Sequence, residues 1–161
     1  MEARERLVIA LDYAQPRPAL ELVDRLGDAV RTYKVGHQLF TAAGPDVVRQ
    51  LVSGAKEVFL DLKLHEIPNS VASAVRAAAA HRVAWVTVHA SGGSAMMRAA
   101  VEASEGTSVR VLALTVVTSL GAADLAELGI DADPLEHSLR LARLARDAGV
   151  HGVVCSPREA A

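Results

Sequence analysis

Six short apolar segments alternate with stretches of helical periodicity along the 161 residues, and that alternation restricts the fold more than any other feature. The apolar segments are 7–11, 33–36, 58–64, 85–89, 109–115 and 152–155. Helical patterns fill 18–27, 45–52, 69–80, 92–103 and 134–148, with a short helical turn at 124–128. Strand-then-helix units in strict order imply a parallel sheet with helices outside it. One solution is a doubly wound open sheet, but the first turn, Leu11-Asp12-Tyr13-Ala14, lacks the glycine spacing of a dinucleotide site. The other is a barrel, whose chemistry gathers at the C-terminal ends of its strands. Those ends carry Asp12, Lys34, Asp61 with Lys63, His89 and the polar run 115–119. The expected fold is therefore α/β, a TIM (β/α)8-type barrel of about six units. Residues 1–161 would form a single partial barrel domain that continues beyond 161.

Segment 58–64 is unusual because it carries charge inside an apolar run. Uninterrupted apolar character suits a parallel strand covered on both faces. Residues two apart share a face, so Asp61 and Lys63 are expected to point the same way, beside Phe59. Burying such ions costs several kcal/mol each unless they are paired and hydrogen-bonded. A structural ion pair would satisfy that requirement, yet lysine usage argues for more. Of 17 basic residues only Lys34, Lys56 and Lys63 are lysines. Unlike arginine, a lysine can hand over a proton. Lys34 again falls at a strand end, whereas Lys56, between Ala55 and Glu57, reads as a solvated charge.

Composition removes several classes of function. Hydrophobic residues make up 51% and charged residues 22%, which suits a folded globular chain. A net charge of −2 without a basic run gives no footprint for nucleic acid. The lone Cys155 cannot form an internal disulfide, which fits a cytoplasmic location. The charged start, Met1 to Arg6, reads as no signal peptide, and no apolar stretch reaches membrane-spanning length. His65-Glu66 begins like a zinc-protease helix, but Asn69 stands where the second histidine is needed and Pro68 would break the helix. Ser91-Gly92-Gly93-Ser94 reads as a turn with a helix N-cap rather than an anion cradle. His89 reads as a structural histidine, His37, His81, His137 and His151 as surface or helix-end residues, and Met96-Met97 as core.

Several motifs together resemble orotidine 5′-phosphate decarboxylase. They are Ala10-Leu11-Asp12, Lys34-Val35-Gly36, the run from Phe59 to Asn69 (Phe-Leu-Asp-Leu-Lys-Leu-His-Glu-Ile-Pro-Asn), Val88-His-Ala-Ser-Gly-Gly93, Thr115-Val-Val-Thr-Ser119 and Gly152-Val-Val-Cys-Ser156. Asp-x-Lys alone is shared with sister sugar-phosphate lyases; His-x-Ile-Pro-Asn and the upstream Lys-Val-Gly make the likeness specific. The resemblance implies cofactor-free decarboxylation of orotidine 5′-phosphate to uridine 5′-monophosphate by a cytoplasmic homodimer. Lys63 would give the proton to C6 of the pyrimidine, and Asp61 would orient Lys63 beside the departing carboxylate. Lys34 would complete the charge array and Asp12 would bind the ribose. Ile67, Pro68, Asn69 and Ser70 would line the substrate pocket, and Thr118 would face the pyrimidine. Glu66 replaces a family aspartate that reaches into the partner subunit, keeping the charge and adding a methylene.

The resemblance covers only the first six strand units. The family's phosphate-binding arginine and glutamine follow strands that this sequence does not contain, and loops at that position commonly hold the phosphate. The sequence is thus expected to be a fragment, with nothing around Arg158-Glu-Ala-Ala161 marking a natural C-terminus. Strands one and six should expose their edges. Alternatives are a non-catalytic partial barrel serving in binding or assembly, and a sister decarboxylase of sugar phosphates.

Overall fold

The computed structural model describes residues 5–159. Met1 to Arg4 of the charged start, and Ala160 and Ala161, lie outside the described residues, as does the side chain of Arg158. Six strands form one sheet in sequence order: β1 (Val8–Ala10), β2 (Thr32–Gly36), β3 (Glu57–Leu64), β4 (Trp85–His89), β5 (Arg110–Leu114) and β6 (Gly152–Val154). The pairs β1–β2, β2–β3 and β5–β6 are parallel, with Ala10 level with Lys34, Gly36 with Asp61 and Leu114 with Val154. The helices are α1 (Pro16–Leu26), α2 (His37–Ala43), α3 (Pro45–Ser53), α4 (Pro68–Ala80), α5 (Gly93–Ser104), α6 (Ala122–Glu127) and α7 (Pro134–Asp147). Among the described residues, no helix is long and apolar enough to cross a membrane.

The chain divides into two compact units. The first comprises Met1–Leu62, Arg76–Val86 and Gly106–Val109. Its core is built from Leu11 and Tyr33, Val35 on β2, Val47 and Leu51 on α3, and Val58 on β3, all 1% exposed or less. Prolines at the first turns of α1 and α3 fit positions whose backbone N–H needs no partner. Lys56 is not the solvated charge expected from its neighbours. Its Nζ donates to the carbonyls of Gly27 (2.5 Å) and Val30 (3.3 Å), satisfying acceptors in the turn between α1 and β2.

The second unit comprises Lys63–Val75, Thr87–Glu105 and Arg110–Ala161. Val88, Met96, Met97, Val111, Ala113 and Leu125 form its interior, all 2% exposed or less. Asp133 caps α7, its Oδ1 accepting from the Leu135 N–H at 2.9 Å. The inner face of α7 is narrower than its apolar pattern predicts. Leu141 and Ala145 are buried, but Leu135 and Leu139 are 47% and 41% exposed. Ser91 does not cap α5: a 3-10 turn, Ala90–Gly92, leads into that helix, and Gly92 is its N-cap without a side-chain bond. The sheet order places β1 and β6 at its edges, where Val8 and Val153 are 43% and 40% exposed.

Candidate active site

In the first unit, acid and base alternate across neighbouring strand ends. Asp12 lies just past β1, where the Leu11 N–H carries the ladder onward by donating to the Lys34 carbonyl at 3.0 Å. The Lys34 ammonium on β2 donates to Asp12 Oδ1 at 2.9 Å. Gly36 leaves room for this pair, since a β-carbon there would stand 3.3 Å from Lys34 Nζ and 3.5 Å from Asp12 Oδ1. Gly36 shares a face with Lys34 and is level with Asp61 on β3, so Asp61 belongs to the same face. Asp61 is buried, and the Leu62 carbonyl that follows it accepts from His37 Nε2 at 2.9 Å. His37 opens α2 at the end of β2, so its helix-end placement has a hydrogen-bonding task.

In the second unit, Lys63 departs from the regular pleat. Its φ is 47°, the left-handed region that a non-glycine residue enters at a cost of about 1–3 kcal/mol. Strict alternation through β3, on which a shared face for Asp61 and Lys63 depends, therefore does not hold at Lys63 itself. Its N–H donates to Thr87 Oγ1 on β4 at 2.8 Å, and Thr87 is fully buried. Two residues further along, the rings of His65, just past β3, and His89, the last residue of β4, stack with centroids 5.4 Å apart and planes at 30°. A β-carbon on Gly92 would overlap the Met96 side chain and approach His65 Cδ2 to 3.1 Å. The glycine pair thus serves close packing at Gly92 and a φ of 85° at Gly93.

The segment after β3 turns directly into α4. The Ile67 carbonyl accepts from the Ser70 N–H (3.0 Å) and the Val71 N–H (3.2 Å), which puts Pro68 at the first helical position. Asn69 is consequently inside the helix, one residue past its first position. Glu66 bonds locally: the Ser70 side chain, and next the Ile67 backbone, hold its carboxyl below the ordinary carboxylate range. Ile67, Pro68 and Asn69 are exposed and Ser70 is half-buried. Thr118 is exposed in the loop after β5, on a cavity of about 350 Å³ lined also by Val116, Asp133, Leu135, Ser156 and Glu159. None of the other expected site residues lines that cavity. Sequence reasoning missed the task of Gly36 beside the Lys34–Asp12 pair and, in the second unit, that of Thr87 at the Lys63 N–H. A hydroxyl between two valines of a buried strand was the available signal for Thr87.

A parallel β/α chain of this order is of barrel type, an architecture whose active sites gather at the C-terminal ends of the strands. A family model described as "Orotidine 5'-phosphate decarboxylase / HUMPS family" matches residues 5–161. The chain belongs to that family. It is 53% identical over 157 residues to the orotidine 5′-phosphate decarboxylase of Chromobacterium violaceum, covering 96% of this chain and 64% of that protein. Its identity to the Alkalilimnicola ehrlichii protein of the same name is 54% over 162 residues, covering 99% of this chain and 68% of the relative. A crystal structure of orotidine 5′-phosphate decarboxylase from Lactobacillus acidophilus, 36% identical, matches with a TM-score of 0.89 over 95% of this chain and 72% of that one. The fold is accordingly α/β of TIM-barrel type, with six parallel strands. The chain spans about two thirds of the length of these relatives.

Proposed function

We propose that the chain carries the catalytic portion of an orotidine 5′-phosphate decarboxylase. In this reading the C6–carboxylate bond of the pyrimidine breaks, carbon dioxide leaves, and the electron pair stays on C6. The Lys63 ammonium stabilises that carbanion and then protonates it, giving uridine 5′-monophosphate; water restores the lysine proton. Fixed charges already in place act on developing charge without reorganisation. Asp61 orients Lys63 next to the departing carboxylate, Lys34 extends the array, and Asp12 holds the ribose. Ile67 to Ser70 and Thr118 line the nucleotide site. No cofactor enters this chemistry. A cytoplasmic homodimer organised as one barrel domain completes the proposal, with Glu66 near the partner.

The observation that carries the reading is the sequence of charges in the first unit: Asp12, Lys34 and Asp61, at the ends of three adjacent strands, the first two in contact at 2.9 Å. Binding energy from a remote phosphate contributes to such a transition state, so a chain without its phosphate loops should lose turnover as well as affinity. A second reading, a partial barrel that acts in binding or assembly, is favoured by the exposed Leu128, Leu135 and Leu139. Complementation of a uracil auxotroph separates the two, using this chain and a version completed with the last third of a relative. Growth with the completed version, lost on Lys63→Ala, supports the decarboxylase. Substantial turnover by the folded Lys63→Ala protein would overturn the role given to Lys63.

A further inference from the structure

We propose that Thr87 is a positioning residue for Lys63: its hydroxyl holds the lysine backbone in the left-handed conformation from which the side chain is presented. The inference rests on the reading of Lys63 as proton donor and extends it to a residue on the neighbouring strand.

Three observations converge on Thr87. Lys63 has a φ of 47°, so something must maintain a conformation that lysine does not favour. The Lys63 N–H is held by Thr87 Oγ1 at 2.8 Å. Thr87 is 0% exposed, so water cannot substitute for that acceptor without opening β4. Packing one step further along reinforces the arrangement. His65 and His89 follow Lys63 and Thr87 by two residues each, and their rings stack. Gly92 in turn leaves the space that Met96 and His65 occupy. Valine, the isostere that strand propensity would favour at 87, fills the same volume but offers no acceptor. The hydroxyl therefore has a task that packing alone does not assign to it.

The low lysine content supplies a direct test. In the chain labelled with [15N]lysine, a 1H–15N correlation spectrum contains only three backbone lysine signals: Lys34, Lys56 and Lys63. Lys63→Arg assigns the signal that disappears. Thr87→Val should move the Lys63 amide signal and accelerate its hydrogen exchange by about tenfold, as expected for one lost hydrogen bond. Thr87→Ser should keep the Lys63 signal and its exchange near the parent values, and the Lys34 and Lys56 signals should stay in place throughout. If Thr87→Val fails to fold, Thr87→Ala and Thr87→Ser form a second pair, both lacking the methyl group and differing only in the hydroxyl. A Lys63 amide that does not change in the folded valine or alanine variant would overturn the proposal. Where the protein turns over orotidine 5′-phosphate, Thr87→Val should lower kcat by roughly tenfold or more, from misplacement of the donor, with KM little altered. Absence of turnover in the chain completed with the last third of a relative would count against the decarboxylase reading, while the amide measurement still decides the role of Thr87.

Discussion

The Lys34 ammonium and the Asp12 carboxylate meet at 2.9 Å over Gly36, although Asp12 is 62% exposed and Lys34 is 24% exposed. An ion pair this open to solvent contributes about 0–1 kcal/mol to stability. Asp12→Asn should therefore leave the denaturant midpoint almost unchanged. Under the decarboxylase reading it should still weaken binding of uridine 5′-monophosphate roughly tenfold, through loss of a charge-assisted hydrogen bond to the ribose. Calorimetric titration of the variant in the chain completed with the last third of a relative, together with urea melts, separates these effects. Equal affinity for the nucleotide would remove Asp12 from the site.

Gly92 tests packing in the second unit. In Gly92→Ala the new methyl must displace the buried Met96 side chain and crowd His65. Overpacking of this kind costs about 1–3 kcal/mol. Thermal unfolding should show that loss, and Met96→Ala in the same chain should recover part of it. A parent-like melting temperature for Gly92→Ala would mean that the 3-10 turn yields without cost.

Glu66 supplies a pH prediction with a definite sign. Its carboxyl titrates below the ordinary range because the Ser70 side chain and the Ile67 backbone stabilise the charged form. The resulting support for the start of α4 is present at neutral pH and is lost as pH falls through the lowered folded-state value. Ser70→Ala should raise the Glu66 pKa toward that of a free glutamate, which carboxyl 13C shifts followed through an acid titration would report. An unchanged midpoint would assign the shift to another partner.

Lys56 tests the N-terminal end of β3, at the opposite end of the strand from Asp61. Lys56→Met keeps the apolar stem and removes the ammonium that bonds the Gly27 and Val30 carbonyls. The expected cost is about 1–3 kcal/mol in urea melts, as for hydrogen bonds to a charged group. A loss below a few tenths would mean that solvent replaces both bonds.

Most of the fold could be read from the residues because a parallel strand announces itself as a continuous apolar run. All six strands fall within two residues of their expected limits, and β4 coincides with them. Helix α2 was not anticipated: His37–Ala43 is only seven residues long and begins at Gly36 without a side-chain cap. Leu135 and Leu139 followed helical periodicity yet lie exposed, since periodicity names a face but not what covers it. The charges of the candidate site stood out because they interrupt apolar strands. Thr87 carries only the weak signal of a hydroxyl between two valines, because threonine is an ordinary strand former and its use depends on the backbone of Lys63.

Lysine scarcity also has a practical side. An amine-reactive reagent has side-chain targets at only three positions, and none is idle: Lys34 holds Asp12, Lys56 binds two turn carbonyls, and Lys63 is engaged in the second unit. Acylation, carbamylation or amine-based immobilisation would thus strike the Lys34–Asp12 pair, the engaged Lys63 or a structural clasp almost wherever it landed on a side chain. Handling and tagging of this protein are better directed at its exposed carboxylates, with arginine left to carry the surface positive charge unmodified.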